Sequence, residues 1–322
     1  MNLKEVIEPI KNELKEFDAR FSTELKSKVA LIDMITKYIH KQKGKQVRPI
    51  LVLLSAGMCG NINDRTYVAA NMVELLHTAT LIHDDVVDEA AERRGFASIN
   101  AVFKNKAAVL IGDYLLSKGL LIALENKEFD FLHTTSEAVR RMSEGELLQI
   151  QKARNFDSTE ETYFKVISDK TASLIKTCCK LGALSATDDE ERIKRLSEFG
   201  ENLGIAFQLR DDLLDYVGRK KLLGKSPGND VKEKKFTLPL IIALENGTKS
   251  DSRRIINLIK GKKGNIFKEV YTFVSENGGL SYTEDKIIEY SKAAMDSICV
   301  FPETNTKNSL KQLVEFVVER EY

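Results

Sequence analysis

Proline is scarce in this chain, and no segment has the composition of a linker. Only five prolines occur in 322 residues, and no stretch is rich in glycine, serine or proline. Stretches of that kind commonly separate domains, so their absence argues against the two domains that the length alone would suggest. We therefore predict one domain over residues 1–322.

The chain also lacks an excess of charge, a metal-binding cysteine pattern and a membrane signal. Its 49 basic and 48 acidic residues leave a net charge of +1, whereas a general nucleic-acid surface needs a basic excess. The four cysteines have no metal-ligand spacing, which is typical of free thiols in a reducing cytosol. The N-terminus lacks the apolar centre of a signal peptide, and no apolar run approaches the ~20 residues that cross a bilayer. We expect a cytoplasmic protein without a transmembrane segment, for which peripheral membrane contact stays open.

The chain does contain strong helical periodicity. Apolar residues recur at spacings of three and four in stretches such as VELLHTATLI, and alternating β-branched runs are few. This pattern favours an all-α fold, a single helical bundle. The predicted helices cover residues 2–20, 26–40, 50–58, 66–89, 107–125, 131–152, 160–185, 189–217 and 237–246, with three or four more in 251–322. The loop 218–236 is rich in glycine and lysine, and its length suggests a function.

Two of the predicted helices carry the same aspartate pattern. LIHDDVVD contains Asp84, Asp85 and Asp88, and QLRDDLLD contains Asp211, Asp212 and Asp215. In a helix the first and last acid of each triad share a face, where like charges repel. Valine and leucine separate the acids, whereas a solvated face would mix in lysine or arginine. Since two such triads are improbable by chance, we interpret both as functional clusters.

The triads predict a magnesium site that binds a diphosphate. Carboxylate oxygens without histidine or cysteine neighbours suit Mg²⁺, which keeps water ligands and is shared with substrate phosphates. Two acidic helix faces would clamp a diphosphate through several metal ions and assist its departure. Glu74 and His77 have the spacing found in di-iron bundles, but no other histidine has a glutamate three residues before it. The di-iron alternative is therefore rejected.

Basic residues that could bind a diphosphate occur in groups beside turns. These groups are Lys45 with Arg48, Arg93 with Arg94, and Lys225 with Lys235. Arginine can bind phosphate through two hydrogen bonds, and lysine acts as a point charge.

Six motifs, in order, resemble the trans-type polyprenyl diphosphate synthases. They are GKQVRP (44–49), ELLHTATLIHDDVVDEAAERRG (74–95), GDYLL (112–116), KTASL (170–174), FQLRDDLLDYVG (207–218) and GKSPGNDVKEKKFTLPL (224–240). The resemblance implies a bundle around a deep central cavity, usually a homodimer. It implies head-to-tail addition of isopentenyl diphosphate to an allylic diphosphate such as farnesyl diphosphate. Lys43, Gln46, Ala97 and Lys234 depart from the common family pattern, but none of them is an implied contact.

The resemblance also implies a role for each motif residue. Roughly three Mg²⁺ ions would be held by Asp84, Asp85, Asp88, Asp211, Asp212 and Asp215. Isopentenyl diphosphate would be bound by Lys45, Arg48, His77 and Arg94. The allylic partner would contact Arg93, Lys170, Thr171, Gln208, Lys225 and Lys235, with Lys170 in a catalytic role.

Small residues one turn before the first triad suggest a long product. Ala79 and Thr80 stand where bulky aromatics stop growth early in the family. We expect about six to eight or more isoprene units, since a deep tunnel gains ~0.8 kcal/mol for each methylene it buries. Such lengths are used for quinone side chains. The floor of the tunnel is expected among Leu116, Leu120, Ala123 and Leu124.

Other protein classes share part of this pattern. A short-chain farnesyl or geranylgeranyl diphosphate synthase is the principal alternative. A class I terpene cyclase also has a first aspartate triad, but its second metal motif mixes asparagine, serine or threonine, and glutamate. A non-catalytic partner subunit would lack intact triads, and a scaffold protein would leave the acidic clusters without a purpose.

Overall fold

The computed structural model describes residues 3–42, 44–93, 95–155, 158–218, 228–261 and 266–319. Its α-helices are α1 (Leu3–Ile7), α2 (Lys11–Glu24), α3 (Ala30–Lys41), α4 (Val47–Cys59), α5 (Asp64–Val87), α6 (Ile99–Glu125), α7 (Phe129–Asn155), α8 (Glu160–Ile167), α9 (Ser173–Ala186), α10 (Glu190–Val217), α11 (Asn229–Lys232), α12 (Leu238–Asn246), α13 (Lys249–Gly261), α14 (Ile266–Glu276), α15 (Gly279–Ile298) and α16 (Asn305–Glu319). A short antiparallel hairpin joins β1 (Glu92–Arg93) to β2 (Phe96–Ala97). The predicted all-α class is confirmed.

Polar caps begin the helices that carry the two triads. Asn63 accepts a hydrogen bond from the backbone N–H of Thr66, whose hydroxyl accepts one from the N–H of Asn63. Asp189 accepts hydrogen bonds from the N–H groups of Glu191 and Arg192. These side chains satisfy backbone donors that the first helical turn leaves unpaired. Each triad then lies in the C-terminal part of its capped helix, as predicted.

The core lies around α4, which is buried along most of its length. Every residue from 49 to 56 is buried, and α4 packs against α5 and α9. Gly182 of α9 allows this approach, because an added Cβ would lie 2.3 Å from the carbonyl oxygen of Val52. α5 packs in turn against α6 and α9. The helix of the first triad is therefore held on two sides by the core.

Several local features differ from the sequence prediction. The expected helix 2–20 is divided into α1 and α2 by a 3-10 turn at Glu8–Ile10. The expected helix 160–185 is interrupted by a π turn at Ser168–Ala172. α6 begins at Ile99 rather than at 107, with non-helical backbone at Lys104 where φ is 73°. The loop 218–236 contains the short helix α11, and its residues 219–227 lie outside the described part of the chain.

α6 departs from the expectation that no apolar segment could span a bilayer. By length and composition alone it could do so, and 39% of its most apolar window is buried. Its exposed apolar side chains include Leu110, Leu121 and Leu124, at 59%, 51% and 46% exposure. An apolar helix of this kind can pack at the periphery of a helical bundle or in a protein interface as well as in a membrane.

The cysteines agree with the sequence prediction. Cys59, Cys178 and Cys179 are buried, Cys299 is exposed, and all four are free. Burial raises the pKa of Cys179 to about 12, so this thiol stays protonated and unreactive at neutral pH.

Candidate active site

The three acids of the first triad have different neighbours. Asp85 is 2% exposed and accepts a hydrogen bond from Arg93 at 2.6 Å, so it faces the β-hairpin. Asp84 is partly buried, and burial raises its pKa. The Lys170 ammonium opposes this rise, whereas Glu146 and Asp88 add to it. Asp84 and Asp88 therefore form the face of the triad that is available to a cation.

The second triad is also engaged unequally. Asp212 is 5% exposed, and its two oxygens accept hydrogen bonds from the Tyr163 hydroxyl at 2.6 Å and the Gln208 amide at 2.7 Å. Asp215 accepts the backbone N–H groups of Asn229 and Asp230 at 3.1 and 3.0 Å, which begins α11. Asp212 thus belongs to a buried network, and Asp215 tethers the loop that returns to the site.

Lys170 and Thr171 lie on the π turn between α8 and α9, opposite α7. The Lys170 ammonium forms an ion pair with Glu146 and lies 3.5 Å from the Gln149 side-chain oxygen. The Thr171 hydroxyl donates to the side-chain oxygen of Gln208 at 2.8 Å. Lys170 also interacts electrostatically with Asp84, so this turn faces both triads.

A polar cavity of about 130 Å³ brings together most of the residues predicted to bind the allylic diphosphate. Lys170, Thr171, Gln208, Asp212 and Lys235 line it. The Lys235 ammonium pairs with Glu233 at 2.6 Å. It is close enough to Asp230 and Asp88 to interact with both. Lys225, which was predicted to join this set, lies outside the described residues.

The residues predicted to bind isopentenyl diphosphate line two cavities on either side of residues 44–48. Lys45 and Arg48 line an apolar cavity of about 200 Å³ with Phe207 and Phe316, and the Lys45 ammonium lies 5.7 Å from the centroid of the Phe316 ring. His77 lines a separate cavity of about 70 Å³ together with Arg93. Arg93 was predicted to contact the allylic diphosphate, and it is not among the described residues that line the polar cavity. The fourth predicted residue, Arg94, lies outside the described part of the chain.

The positions predicted to control product length lie in the core below the first triad. Ala79 is 1% exposed. Thr80 is partly buried, and its hydroxyl donates to the carbonyl oxygen of His77 at 2.9 Å. Both side chains are small, and neither carries an aromatic ring.

Sequence reasoning missed four polar residues of the site. Gln149, Tyr163 and Asp230 line the cavity, and Glu146 forms the ion pair with Lys170. Glu146 and Gln149 are three residues apart and so share a face of α7, a spacing that could have signalled them. No nearby sequence pattern indicates that Tyr163 and Asp230 belong to the site, because Asp212, with which both interact, is distant in sequence.

The polar cavity is lined by Asp212 of the second triad, and its lysines Lys170 and Lys235 interact with Asp84 and Asp88 of the first. In an all-α bundle this arrangement is typical of a diphosphate-processing enzyme of the isoprenoid synthase type. A family model described as "Polyprenyl synthetase" matches residues 29–274. The chain is similar to octaprenyl diphosphate synthase of Escherichia coli, with 35% identity over 322 residues and all of both chains covered. Geranylgeranyl diphosphate synthase of Saccharolobus solfataricus is 31% identical over 316 residues, covering 94% of each chain.

Solved structures show the same likeness. A decaprenyl diphosphate synthase from Rhodobacter capsulatus superposes with a TM-score of 0.93 at 30% identity over 99% of each chain. A polyprenyl synthase from Caulobacter crescentus, complexed with calcium and isoprenyl diphosphate, superposes with a TM-score of 0.91 at 30% identity over 99% of this chain and 98% of that one. The chain belongs to the polyprenyl synthetase family, and it is a prenyltransferase. The family and enzyme class predicted from the motifs are confirmed.

Asp212 should make the stability of the metal-free protein depend on pH. Burial raises its pKa well above the usual range, and nearby Asp230 adds to the rise. The folded protein then holds more protons than the unfolded chain above the usual aspartate pKa of about 3.9. The contribution of Asp212 to the free energy of unfolding should therefore fall as pH rises, by up to about 1.4 kcal/mol per pH unit. In urea unfolding at about pH 5 and about pH 7, Asp212→Asn should lose less stability than the wild type. Equal losses would contradict this assignment.

Proposed function

We propose that this protein is a magnesium-dependent, long-chain polyprenyl diphosphate synthase. It adds isopentenyl diphosphate repeatedly to an allylic diphosphate such as farnesyl diphosphate and releases a long all-trans product for a quinone side chain. The observation that carries this proposal is the cavity where Lys170, Thr171 and Lys235 meet the second triad and face Asp84 and Asp88. It offers both cations and carboxylates to one diphosphate.

The available carboxylates fit Mg²⁺ that is shared with a substrate. No three acidic, histidine or cysteine side chains converge into a complete metal site within the described residues. A cation that keeps water ligands and is also coordinated by substrate phosphate oxygens needs only one or two protein carboxylates. Asp84, Asp85, Asp88, Asp211, Asp212 and Asp215 are proposed to hold Mg²⁺, and Lys170 and Lys235 interact with Asp84 and Asp88 of this set. When bound, Mg²⁺ would neutralise the charge of the departing diphosphate.

The protein's own residues bind and orient two diphosphates. Lys170, Thr171, Gln208 and Lys235 are proposed to hold the allylic substrate, with Lys225 and Arg93. Lys45, Arg48, His77 and Arg94 are proposed to hold isopentenyl diphosphate. The allylic C–O bond breaks with its electron pair on diphosphate, the isopentenyl double bond attacks the resulting cation, and diphosphate takes the proton that is lost. Lys170 stabilises the negative charge on the leaving group.

Product length separates the main proposal from its alternative. Octaprenyl and decaprenyl synthases are similar to the chain over its full length, but geranylgeranyl synthases are also similar. The small side chains of Ala79 and Thr80 favour the long product, since neither contributes an aromatic ring that would block a growing tail.

The exposed apolar face of α6 supports a homodimer. Leu110, Leu121 and Leu124 share this helix with a buried face that packs on α5. A second copy would remove these side chains from water, at roughly 25 cal/mol for each Å² buried. We propose that the enzyme is a cytoplasmic homodimer that touches a membrane only when it releases its product.

One assay tests the proposed function. Purified protein is incubated with Mg²⁺, labelled isopentenyl diphosphate and farnesyl diphosphate, and the products are sized after removal of the diphosphate. We expect long all-trans chains and no product when EDTA replaces Mg²⁺. Chains that stop at three or four units would support the short-chain alternative. The absence of elongation with farnesyl, geranyl and dimethylallyl primers would reject the enzyme assignment.

A further inference from the structure

The π turn Ser168–Ala172 presents two site residues from an uncommon backbone geometry. A π turn holds an extra residue compared with an α-helix, and such turns are frequent at functional sites. Here the turn connects α8 to α9 and carries Lys170 and Thr171. The extra residue alters the direction of the side chains that follow it. The orientation of Lys170 and Thr171 therefore depends on the contacts that fix the turn.

Ion pairs and a hydrogen bond hold the π turn from α7 and α8. Asp169 is 6% exposed and accepts a hydrogen bond from the Arg141 Nε at 2.8 Å. Arg141 also donates to the Ser168 hydroxyl at 3.0 Å, and Lys165 donates to the second oxygen of Asp169 at 3.2 Å. A planar guanidinium that binds two adjacent residues fixes their orientation more strongly than a single ammonium contact would.

Two glycines let neighbouring helices press against the same turn. At Gly145 of α7, an added Cβ would lie 3.0 Å from the Asp169 Cβ and 3.0 Å from the Lys170 nitrogen. At Gly204 of α10, it would lie 2.6 Å from the Ala172 Cα. The backbone of the turn is therefore confined on both sides, and the ion pair with Arg141 sets its orientation within that space.

We propose that Arg141 and Asp169 are positioning residues for the allylic diphosphate. They orient the π turn so that the Lys170 ammonium and the Thr171 hydroxyl point into the polar cavity. Neither Arg141 nor Asp169 is among the described residues that line that cavity, so they act through the turn. The inference rests on the proposed function of Lys170 and Thr171, and it adds the side chains that set their geometry.

The test compares Asp169→Asn and Arg141→Gln with a matched neighbour. We expect KM for the allylic diphosphate to rise and kcat to fall, each about 10–100-fold, because small displacements of site groups have effects of that order. KM for isopentenyl diphosphate should change less than about twofold, and Arg141→Lys should recover part of the loss. Arg140→Gln is the control. It removes an ion pair with Glu144 on the same helix, whose side chains are 61% and 56% exposed, and it should leave all constants unchanged.

A second variant perturbs the turn without removing a charge. Gly145→Ala is expected to displace Asp169 and Lys170, and so to raise KM for the allylic diphosphate and lower kcat as the charge variants do. It replaces those variants as the test if they fail to fold. Gly119→Ala on α6 is its control, since the nearest atoms to its added Cβ are at an ordinary 3.6 Å.

Two measurements independent of turnover separate this inference from the proposed function. Calorimetry would follow binding of Mg²⁺ with a non-ionisable allylic thiodiphosphate, and amide hydrogen exchange would follow residues 168–173. We expect weaker binding and faster exchange of that segment in Asp169→Asn. If the wild type fails to elongate, the proposed function is wrong, and the exchange result still tests whether Arg141 and Asp169 hold the π turn. Wild-type kinetics in both charge variants, or an equal loss for both substrates with a lower melting temperature, would overturn the positioning role.

Discussion

Replacing Asp84 by asparagine is expected to lower kcat for elongation by about 10²–10³-fold, the usual cost of removing a group that stabilises charge in the transition state. Asp84 lies where Lys170, Glu146 and Asp88 all influence it. An amide keeps the size of the carboxylate but not the charge that a divalent cation requires. Steady-state kinetics at saturating Mg²⁺ and both substrates would measure the effect.

Asp64→Asn is the matched control for this variant. Asp64 begins the same helix, and its side chain is 88% exposed where it pairs with Arg20 at 2.9 Å. Loss of such an exposed pair should change stability by at most about 1 kcal/mol and should leave kcat unchanged. Wild-type activity in Asp84→Asn would remove the first triad from the active site.

Replacing Ala79 by phenylalanine is expected to shorten the products to about three or four isoprene units, because an aromatic ring would fill the space into which each further methylene is buried. Ala79 is 1% exposed and lies one turn below the first triad. If a tail passes this point, the ring occupies its path and growth stops early. Chromatographic sizing of the dephosphorylated products would measure the change.

Folding and product length must be measured together for this variant. In a core without a tunnel, the added ring would overpack the helix and cost about 1–3 kcal/mol. Ala79→Ser, which hardly changes the volume, should keep both the wild-type length and the wild-type melting temperature. A folded Ala79→Phe enzyme with unchanged products would defeat the steric account.

The helices and the two triads could be predicted because their signals are local. Apolar spacing of three and four residues along α5 and α10, with polar caps at Asn63 and Asp189, depends only on neighbours within a turn or two. The aspartate spacing indicated a shared acidic face for the same reason. Those local patterns, with six ordered motifs, were enough for the fold class, the family and the enzyme class.

The unequal use of the triads could not be predicted. Asp85 is engaged by Arg93 from the hairpin, and Asp212 by the hydroxyl of Tyr163, which lies 49 residues away in sequence. Two triads with identical spacing therefore differ in which oxygens remain available. Packing decides this, because a buried carboxylate must take hydrogen bonds from whatever donors the tertiary structure places beside it.

The π turn shows within one segment the difference between what local sequence predicts and what tertiary packing decides. Periodicity predicted a continuous helix over residues 160–185, since apolar spacing hardly registers one extra residue, and KTASL alone could have been any helix surface. By itself the sequence determined the helical architecture and the chemistry of the charged groups, which follow from residue type and near neighbours. Only the tertiary structure decided where Lys170 and Thr171 point, because Arg141 and Gly145 of α7 and Gly204 of α10 contact the π turn from helices distant in sequence.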